Sequence, residues 1–418
     1  MKKFVTLFLC IVLSICTYPC NVYADDEVFT PEQIEYYKNL GLQGTTVNVY
    51  NWGEYISDGS DGSMDVVSEF ERLTGATLNY TNFESNENMY SKLSGGGVSY
   101  DVVVPSDYMI EKLLEEDMLL PLDYDNIPNM KYIAEDCRNL FFDPEQKYTV
   151  CYNVGTTVLI YNKKLVKEKP DSWSVIWDKQ YRDKVLMFNN PRDAFAIAQA
   201  LLGQDFNTTN GYDWQESAKL LAEQRDAVNP VYVMDEVFNL MESGEYAFCT
   251  YYAGDYLLML ENNEDLGYCF PKEGINYFYD AFCIPTCSKN KAGGEAFINF
   301  MHEPQVAFEN AEFIYYRSPN VTVEQNEESS LYGSEVIYPK EKLKSQYFKN
   351  LPQNIIELES NLWTQVKSGK LSAQSRQQDV RIYTECAVLG GVILVVIAAK
   401  LVSNAKKKKE QDLSDLYD

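Results

Sequence analysis

Two short stretches hold side chains suited to gripping a charged organic molecule. Asn51-Trp52-Gly53-Glu54-Tyr55 offers two rings, and Val104-Pro105-Ser106-Asp107-Tyr108 offers a hydroxyl and a phenol. An aromatic face attracts a cation by about 0.5–2 kcal/mol, depending on desolvation. A hydrogen bond to a charged group contributes roughly 1.5–3 kcal/mol. The composition leans the same way: 62 Asp+Glu stand against 36 Lys+Arg, a formal charge of −26, and there are 32 tyrosines in 418 residues. So acidic a chain favours cationic ligands and argues against nucleic acid, whose phosphates need clustered Lys and Arg. His302 is the single histidine and follows the apolar residues Phe297, Ile298, Phe300 and Met301, so it reads as structural. That leaves no histidine for a nucleophile–base triad, and it excludes multi-His zinc sites and a His acid/base pair.

The elements that would position these residues read as alternating strands and helices. Residues 45–50 alternate and are rich in β-branched side chains, which predicts a strand. Val66, Val67, Phe70 and Leu73 recur at helical spacing, and Gly75 stops that helix. A second strand is expected at 76–83. Ser85 caps a helix carrying Met89 and Leu93, closed by Gly95-Gly96-Gly97. That triple glycine lacks the Lys-Ser/Thr of a phosphate loop, so it is a turn, and no cofactor motif is present. Residues 100–104 form a third strand and 107–114 a third helix. This βαβαβα order means a mostly parallel sheet covered by helices. Ligands of open α/β sheets sit beyond the carboxyl ends of the strands, where Trp52, Tyr55, Ser106 and Tyr108 fall. Glu54 and Asp107 are expected to cap helices or face water. A second α/β segment is expected over 156–250, with strands at 157–161 and 185–188 and helices at 192–202 and 214–225. Strand character returns at 279–284, and helices follow at 293–302 and 357–367.

Both ends of the chain read as membrane signals. Lys2 and Lys3 precede an apolar run over 4–15, and Val22-Tyr23-Ala24 supplies small residues at the −3 and −1 places, so a signal peptide with cleavage after Ala24 is expected. Cys16 and Cys20 lack the small preceding residue of a lipidation site. An apolar run over 386–399, extended past Lys400 to 402 and followed by Lys406 to Lys409, predicts a transmembrane anchor with a cytoplasmic tail over 403–418. Lys2, Lys3 and Lys400 lie outside the body and the tail is neutral, so residues 25–399 carry −29. Six cysteines fall in that body: Cys137, Cys151, Cys249, Cys269, Cys283 and Cys287. The even number suggests disulfides, with free thiols equally open, and the spacing matches no metal motif.

Read together, the motifs resemble a known family. Asn51 to Tyr55 after the first strand, Phe83 to Leu93 after the second and Val104 to Tyr108 after the third fall in order. With Pro271-Lys272-Glu273-Gly274, Tyr279-Asp280 and Ser318-Pro319-Asn320, this series is similar to the spermidine/putrescine-binding proteins of bacterial polyamine ABC importers. The resemblance spans roughly 47–370. It implies an α/β, two-lobed periplasmic-binding-protein fold (type II-like) with mixed, mostly parallel sheets, to which the C-terminal transmembrane helix is added. It implies a non-enzymatic, extracytoplasmic receptor that takes a polyamine and hands it to an ABC permease, without cofactor or metal. The implied organisation is a signal peptide (1–24), an acidic lead-in (25–43), a first lobe (44–152 and 275–315), a second lobe (153–274 and 316–370), a linker (371–385), the anchor (386–402) and the tail. Hinge crossings are expected near 150–154 and 250–254.

Carried over position by position, the resemblance puts Trp52, Tyr55, Ser106 and Tyr108 on the first lobe. The family's pocket tryptophans fall on Tyr252 and Phe278, smaller rings. Its central carboxylate falls on Asp280, and Tyr316 and Gln353 match a pocket tyrosine and a terminal amide. Its second-lobe acidic pair falls on Asn190 and Asp193, so one charge is lost. Asp255, three residues after Tyr252, offers a replacement for it. The loss of an acid at 190 leans towards putrescine over spermidine. The competing classes are a receptor for another small solute (iron, sugar or amino acid) and a carboxylate-dependent extracellular hydrolase. The Tyr251-Tyr252 pair keeps iron open. An amino-acid receptor would need an arginine for the ligand carboxylate, and Arg192 is the arginine in these motifs.

Overall fold

The computed structural model describes residues 28–371. The expected signal peptide and the expected anchor helix lie outside the described residues. Among the described residues no helix is long and apolar enough to cross a membrane.

The first helix, α1 (Pro31–Lys38), sits inside the acidic lead-in and was not anticipated there. Its signal was legible: Thr30 and Gln33 close a capping box, and Pro31 opens the first turn. Tyr37 anchors it by donating to Glu303 Oε1 at 2.8 Å and accepting from Asn299.

The expected βαβαβα run follows: β1 (Thr46–Trp52), α2 (Val66–Thr74), β2 (Thr77–Phe83), α3 (Asn86–Ser94), β3 (Val102–Val103) and α4 (Asp107–Glu115). β1 pairs in parallel with both β2 and β3. Helix α2 shows why the local sequence suffices. Asp65 caps its start, Val66, Phe70 and Leu73 bury one stripe, and Gly75 ends it in the left-handed region at φ 70°.

The remaining elements are β4 (Leu119–Leu120), β5 (Thr149–Asn162), β6 (Val185–Phe188), α5 (Pro191–Leu202), α6 (Gly211–Val228), β7 (Val231–Val233), α7 (Val237–Glu242), β8 (Phe248–Tyr252), α8 (Ala253–Asn262), β9 (Leu266–Cys269) and β10 (Ile275–Pro285). Then come α9 (Lys291–Met301), α10 (Pro304–Ile314), α11 (Val321–Glu324), β11 (Ser345–Gln346) and α12 (Gln353–Lys367). The strand order is β2-β1-β3-β10-β5-β8-β6-β7, with β4 and β11 on β10 and β9 on β5. The flanks are parallel, as expected. β10 and β5 run antiparallel to each other and to their other neighbours in that order, so the centre of the sheet is antiparallel.

Two hydrophobic cores result. One is built from residues 29–154 with β10 and α9, the other from residues 158–275 with residues 323–366. Helix α10 packs between them: Val306 and Ile314 belong to the first core, Ala307 and Ala311 to the second.

Strands β5 and β10 pass from one core to the other. Val154 lies in the first and Val158 in the second; Phe278 lies in the first and Ile275 in the second. This explains why every one of the 14 residues of β5 is buried. The expected strand at 157–161 is only the distal part of it. The crossing expected at 250–254 is corrected: Thr250 lies within β8 inside the second lobe, fully buried. The second crossing is β10, with a further bridge between Val154 and Arg317.

The six body cysteines are free thiols, five buried and Cys287 half-buried, so the even number marks no disulfide framework. His302 is buried against Phe282. Burial drives its pKa down to about 3, which keeps it neutral.

Candidate functional site

A cleft opens where the two cores meet, at the ends of β1, β3, β7 and β8. The first lobe lines it with Trp52, Glu54, Tyr55, Glu84, Ser106, Asp107 and Tyr108; the second with Asn190, Asp193, Asp235, Tyr251, Tyr252 and Asp255. Asn276, Phe278 and Asp280 reach in from β10, and Tyr316 and Phe348 complete the wall. It spans about 870 Å³ of space between protein atoms, part of it open to solvent.

The rings are held by close packing. A Cβ on Gly155 would lie 2.2 Å from Phe278 Cζ, and one on Gly254 would lie 2.7 Å from Tyr316 Cδ2. Glycine is required at both places so that a pocket ring can lie against the backbone. Tyr55 meets Tyr316 edge-on at 4.9 Å, and Tyr252 meets Phe278 edge-on at 5.5 Å. Trp52 leans on Phe83 at 4.6 Å.

Four aspartates around the cavity each accept a hydrogen bond from a tyrosine. Tyr55 donates to Asp280 Oδ2 at 2.7 Å, and Tyr252 to Asp193 Oδ2 at 2.8 Å. Tyr316 donates to Asp255 Oδ2 at 3.0 Å, and Tyr251 to Asp235 Oδ1 at 3.2 Å. Ser106 adds a bond to Asp280 Oδ1 at 2.6 Å. Asn190 donates to Asp193 Oδ2 at 2.8 Å, and Asn276 to Asp193 Oδ1 at 3.4 Å.

These donors soften but do not cancel the cost of burying charge. Burial raises Asp280 to about 6 against the lowering bonds of Ser106 and Tyr55. Burial raises Asp193 to about 6, opposed by Tyr252, Asn276 and the Arg192 charge. Asp255 rises to about 7 through burial, with the charges of Asp235 and Glu54 adding to it and Tyr316 opposing. Asp235 is raised by burial too, and Glu236 and Glu84 push it further. The cavity wall holds seven carboxylates (Glu54, Glu84, Asp107, Asp193, Asp235, Asp255 and Asp280) and, among the described residues, no Lys, Arg or His. An anionic wall of this kind stabilises a bound cation, and the cation in turn offsets the cost of ionising buried acids.

Trp52, Tyr55, Ser106, Tyr108, Asp193, Tyr252, Asp255, Phe278, Asp280 and Tyr316 all line this one cavity. Gln353 does not. It is exposed at the start of α12 and donates to Glu357 Oε1 at 3.1 Å. The first turn of α12 points Ile355 inward, which turns Gln353 to solvent; Phe348 reaches the cavity from that region instead.

Glu54 lines the cavity while exposed to solvent, in keeping with the expectation that it faces water, whereas Asp107 lines it against the expectation of a capping or solvent role. Asp107 is 0 % exposed. Glu84, Asp235, Asn276 and Phe348 were not anticipated at all. Glu84 directly follows β2 and was findable by the strand-end rule. Asp235 follows β7, a three-residue strand too short to show a period.

Arg192 is buried, but it donates to Asn207 and the Lys349 carbonyl and lies 4.5 Å over the Phe348 ring. It lies behind the Phe348 and Tyr108 rings and is not among the residues lining the cavity, so among the described residues no arginine faces it to serve an amino acid's carboxylate. The adjacent Tyr251 and Tyr252 hydroxyls are committed to separate aspartates.

Residues 65–333 match the family model described as bacterial extracellular solute-binding protein. The chain belongs to that family. It is therefore a solute-binding protein rather than an enzyme. The spermidine/putrescine-binding periplasmic protein of Salmonella typhimurium is 31% identical over 299 residues, which covers 70% of this chain and 83% of the relative. The putrescine-binding periplasmic protein PotF of Escherichia coli is 28% identical over 353 residues, covering 79% of this chain and 94% of the relative. Among solved structures, a putative spermidine/putrescine ABC transporter protein from Listeria monocytogenes superposes with a TM-score of 0.72 at 32% identity, covering 77% of this chain and 99% of that one. The two-lobed periplasmic-binding-protein fold is thus shared with the family.

Proposed function

We propose that this protein is an extracytoplasmic polyamine receptor that delivers its ligand to an ABC permease. The observation that carries the reading is the cavity wall: seven carboxylates, aromatic rings and, among the described residues, no basic residue. A polyamine is a flexible methylene chain ending in ammonium groups. Rings cover its methylenes and carboxylates take its charges, and several such contacts together offset the entropy of fixing a floppy molecule. The proposed contacts are Trp52, Tyr55, Ser106, Tyr108, Asp193, Tyr252, Asp255, Phe278, Asp280 and Tyr316. The printed names of the relatives from Salmonella typhimurium and Escherichia coli support the same ligand class.

Closure of the two lobes about β5 and β10 would enclose the ligand and mark the loaded receptor for the permease, a ligand-driven population shift. Asn190 stands where the resemblance expects an acid, which favours putrescine over spermidine. The segment over 386–402 would tether the body to the membrane and raise its effective concentration near the permease. An apolar run followed by Lys406 to Lys409 supports this arrangement.

The test is a thermal-shift screen of the purified protein with putrescine, spermidine, ferric ion, common sugars and amino acids. Mass action raises the melting temperature only for a ligand of the native state. The amines are expected to raise it, putrescine most. A rise with a sugar or ferric ion and none with either amine rejects the reading.

A further inference from the structure

Asp107 opens α4 at the end of β3, next to the proposed contacts Ser106 and Tyr108. It lines the cavity and is 0 % exposed. Its Oδ1 accepts the Tyr108 backbone N–H at 2.8 Å, which fixes the plane of the carboxyl group. Its Oδ2 is buried and makes no hydrogen bond of good geometry among the described residues. A buried oxygen left without a donor costs free energy, so each one in a native fold calls for an explanation. A helix-capping role does not supply one: the capping residue of α4 is Ser106, and the free oxygen of Asp107 makes no bond to the helix.

The neighbouring carboxylate sharpens the point. Asp280 already accepts Tyr55 at Oδ2 and Ser106 at Oδ1. A primary ammonium has three N–H donors to place. Asp280 has part of its acceptor capacity taken by two hydroxyls, while Asp107 Oδ2 accepts no side-chain donor among the described residues, the Tyr279 backbone N–H being the further group that favours its charged form. Asp280 on β10 and Glu111 one turn along α4 are the charged groups that face Asp107, both acidic. Burial holds Asp107 well above the usual carboxylate range, with the charges of Asp280 and Glu111 adding to it and the backbone N–H groups of Tyr108 and Tyr279 opposing.

We propose that Asp107 is a ligand-binding residue whose Oδ2 accepts an N–H from the same ammonium group that rests on Asp280. The ligand's head group is then a primary ammonium seated between two carboxyl groups. The assignment rests on the polyamine reading of the cavity.

The test is calorimetric titration of the full chain and its Asp107→Asn variant with putrescine. The amide keeps the shape and removes the charge, and the affinity is expected to fall about tenfold or more. The melting temperature of the unliganded variant is expected to hold, because the amide oxygen keeps the bond from the Tyr108 N–H and a neutral amide takes the place of a buried carboxyl. Affinity within about twofold of the unmutated protein overturns the assignment, as does a fall in melting temperature with unchanged affinity, the sign of a purely structural residue. A structure of the unmutated protein with putrescine gives a second readout that does not depend on the variant folding. An amine nitrogen within about 3.2 Å of Oδ2 is expected, and one beyond about 4 Å overturns the assignment. If the unmutated protein binds no amine, the polyamine reading itself fails; amine binding with an unaffected variant sinks only the role of Asp107.

Discussion

Tyr55 donates its phenolic proton to Asp280 Oδ2 at 2.7 Å. The bond joins the loop after β1 to the strand that crosses between the lobes. It fixes the ring that faces Tyr316 and the carboxylate at the centre of the cleft in a single contact. The pattern repeats with Tyr252 and Asp193, Tyr316 and Asp255, and Tyr251 and Asp235. Each tyrosine supplies one donor to a buried acid and leaves the rest of its acceptor capacity for a cation. With Asp193 and Asp280 at about 6, the wall carries negative charge at neutral pH, and among the described residues no basic side chain lines it.

Removing the central charge should cost one charged hydrogen bond. Asp280→Asn is expected to weaken amine binding by about 1.5–3 kcal/mol. The amide oxygen keeps one of the two hydroxyl donors, Tyr55 or Ser106, and the amide N–H₂ can donate to the other hydroxyl, so the melting temperature of the unliganded protein is expected to change little. Calorimetry and a melting curve check both halves.

Removing its donor should act more gently. Tyr55→Phe takes away a neutral hydroxyl that lowers the Asp280 pKa, so that pKa should rise further. Amine affinity at neutral pH is expected to drop by about 1 kcal/mol. The pH at which binding is half-maximal should move upward.

The raised aspartates give opposite pH trends for folding and for binding. Asp193 and Asp280 at about 6 and Asp255 at about 7 hold protons in the folded state that the unfolded chain has already released. Over that window the native state binds more protons, so stability falls as pH rises from about 4 to about 7, then levels off. Ammonium binding requires the ionised acids, so affinity should climb over the same range. The melting temperature of the unliganded protein should therefore decline while the ligand-induced shift grows. Parallel melts with and without putrescine at several pH values check the two signs together.

The glycines beneath the rings should be intolerant of a methyl group. Gly254→Ala drives a Cβ into Tyr316, whose nearest ring atom would lie at 2.7 Å. Overpacking of this kind costs about 1–3 kcal/mol. The denaturation midpoint should fall, and amine affinity with it, because Tyr316 orients Asp255. A solvent-facing control such as Gly96→Ala would test backbone strain alone, since φ is 71° there with nothing near.

Much of this site was legible because its residues follow strands with a clear alternation. β1, β2 and β6 lie where their apolar patterns put them, and the strand-end motifs led directly to Trp52, Tyr55, Ser106 and Tyr108. Asp235 was hidden because β7 has three residues, too few for any period. Gln353 was misplaced because the turn that begins α12 sets its direction, and the neighbouring apolar residues claim the inside. The lead-in helix was overlooked although Thr30, Pro31 and Gln33 form a recognisable start signal. Asp107 was read by its position at a helix start, and only packing reveals that it is fully buried. The cysteine count left disulfides and free thiols equally open, and burial of the thiols explains these residues as small core side chains.

The central claim is that positive charge on a chain-like ligand is what the cleft selects. Equilibrium titration with putrescine and with the uncharged diol of the same chain length isolates that charge. The diamine is expected to bind with an affinity that weakens as salt is added, and the diol is expected not to bind. Saturable binding of the diol, or of a neutral sugar, by a protein that ignores the diamine would contradict the account.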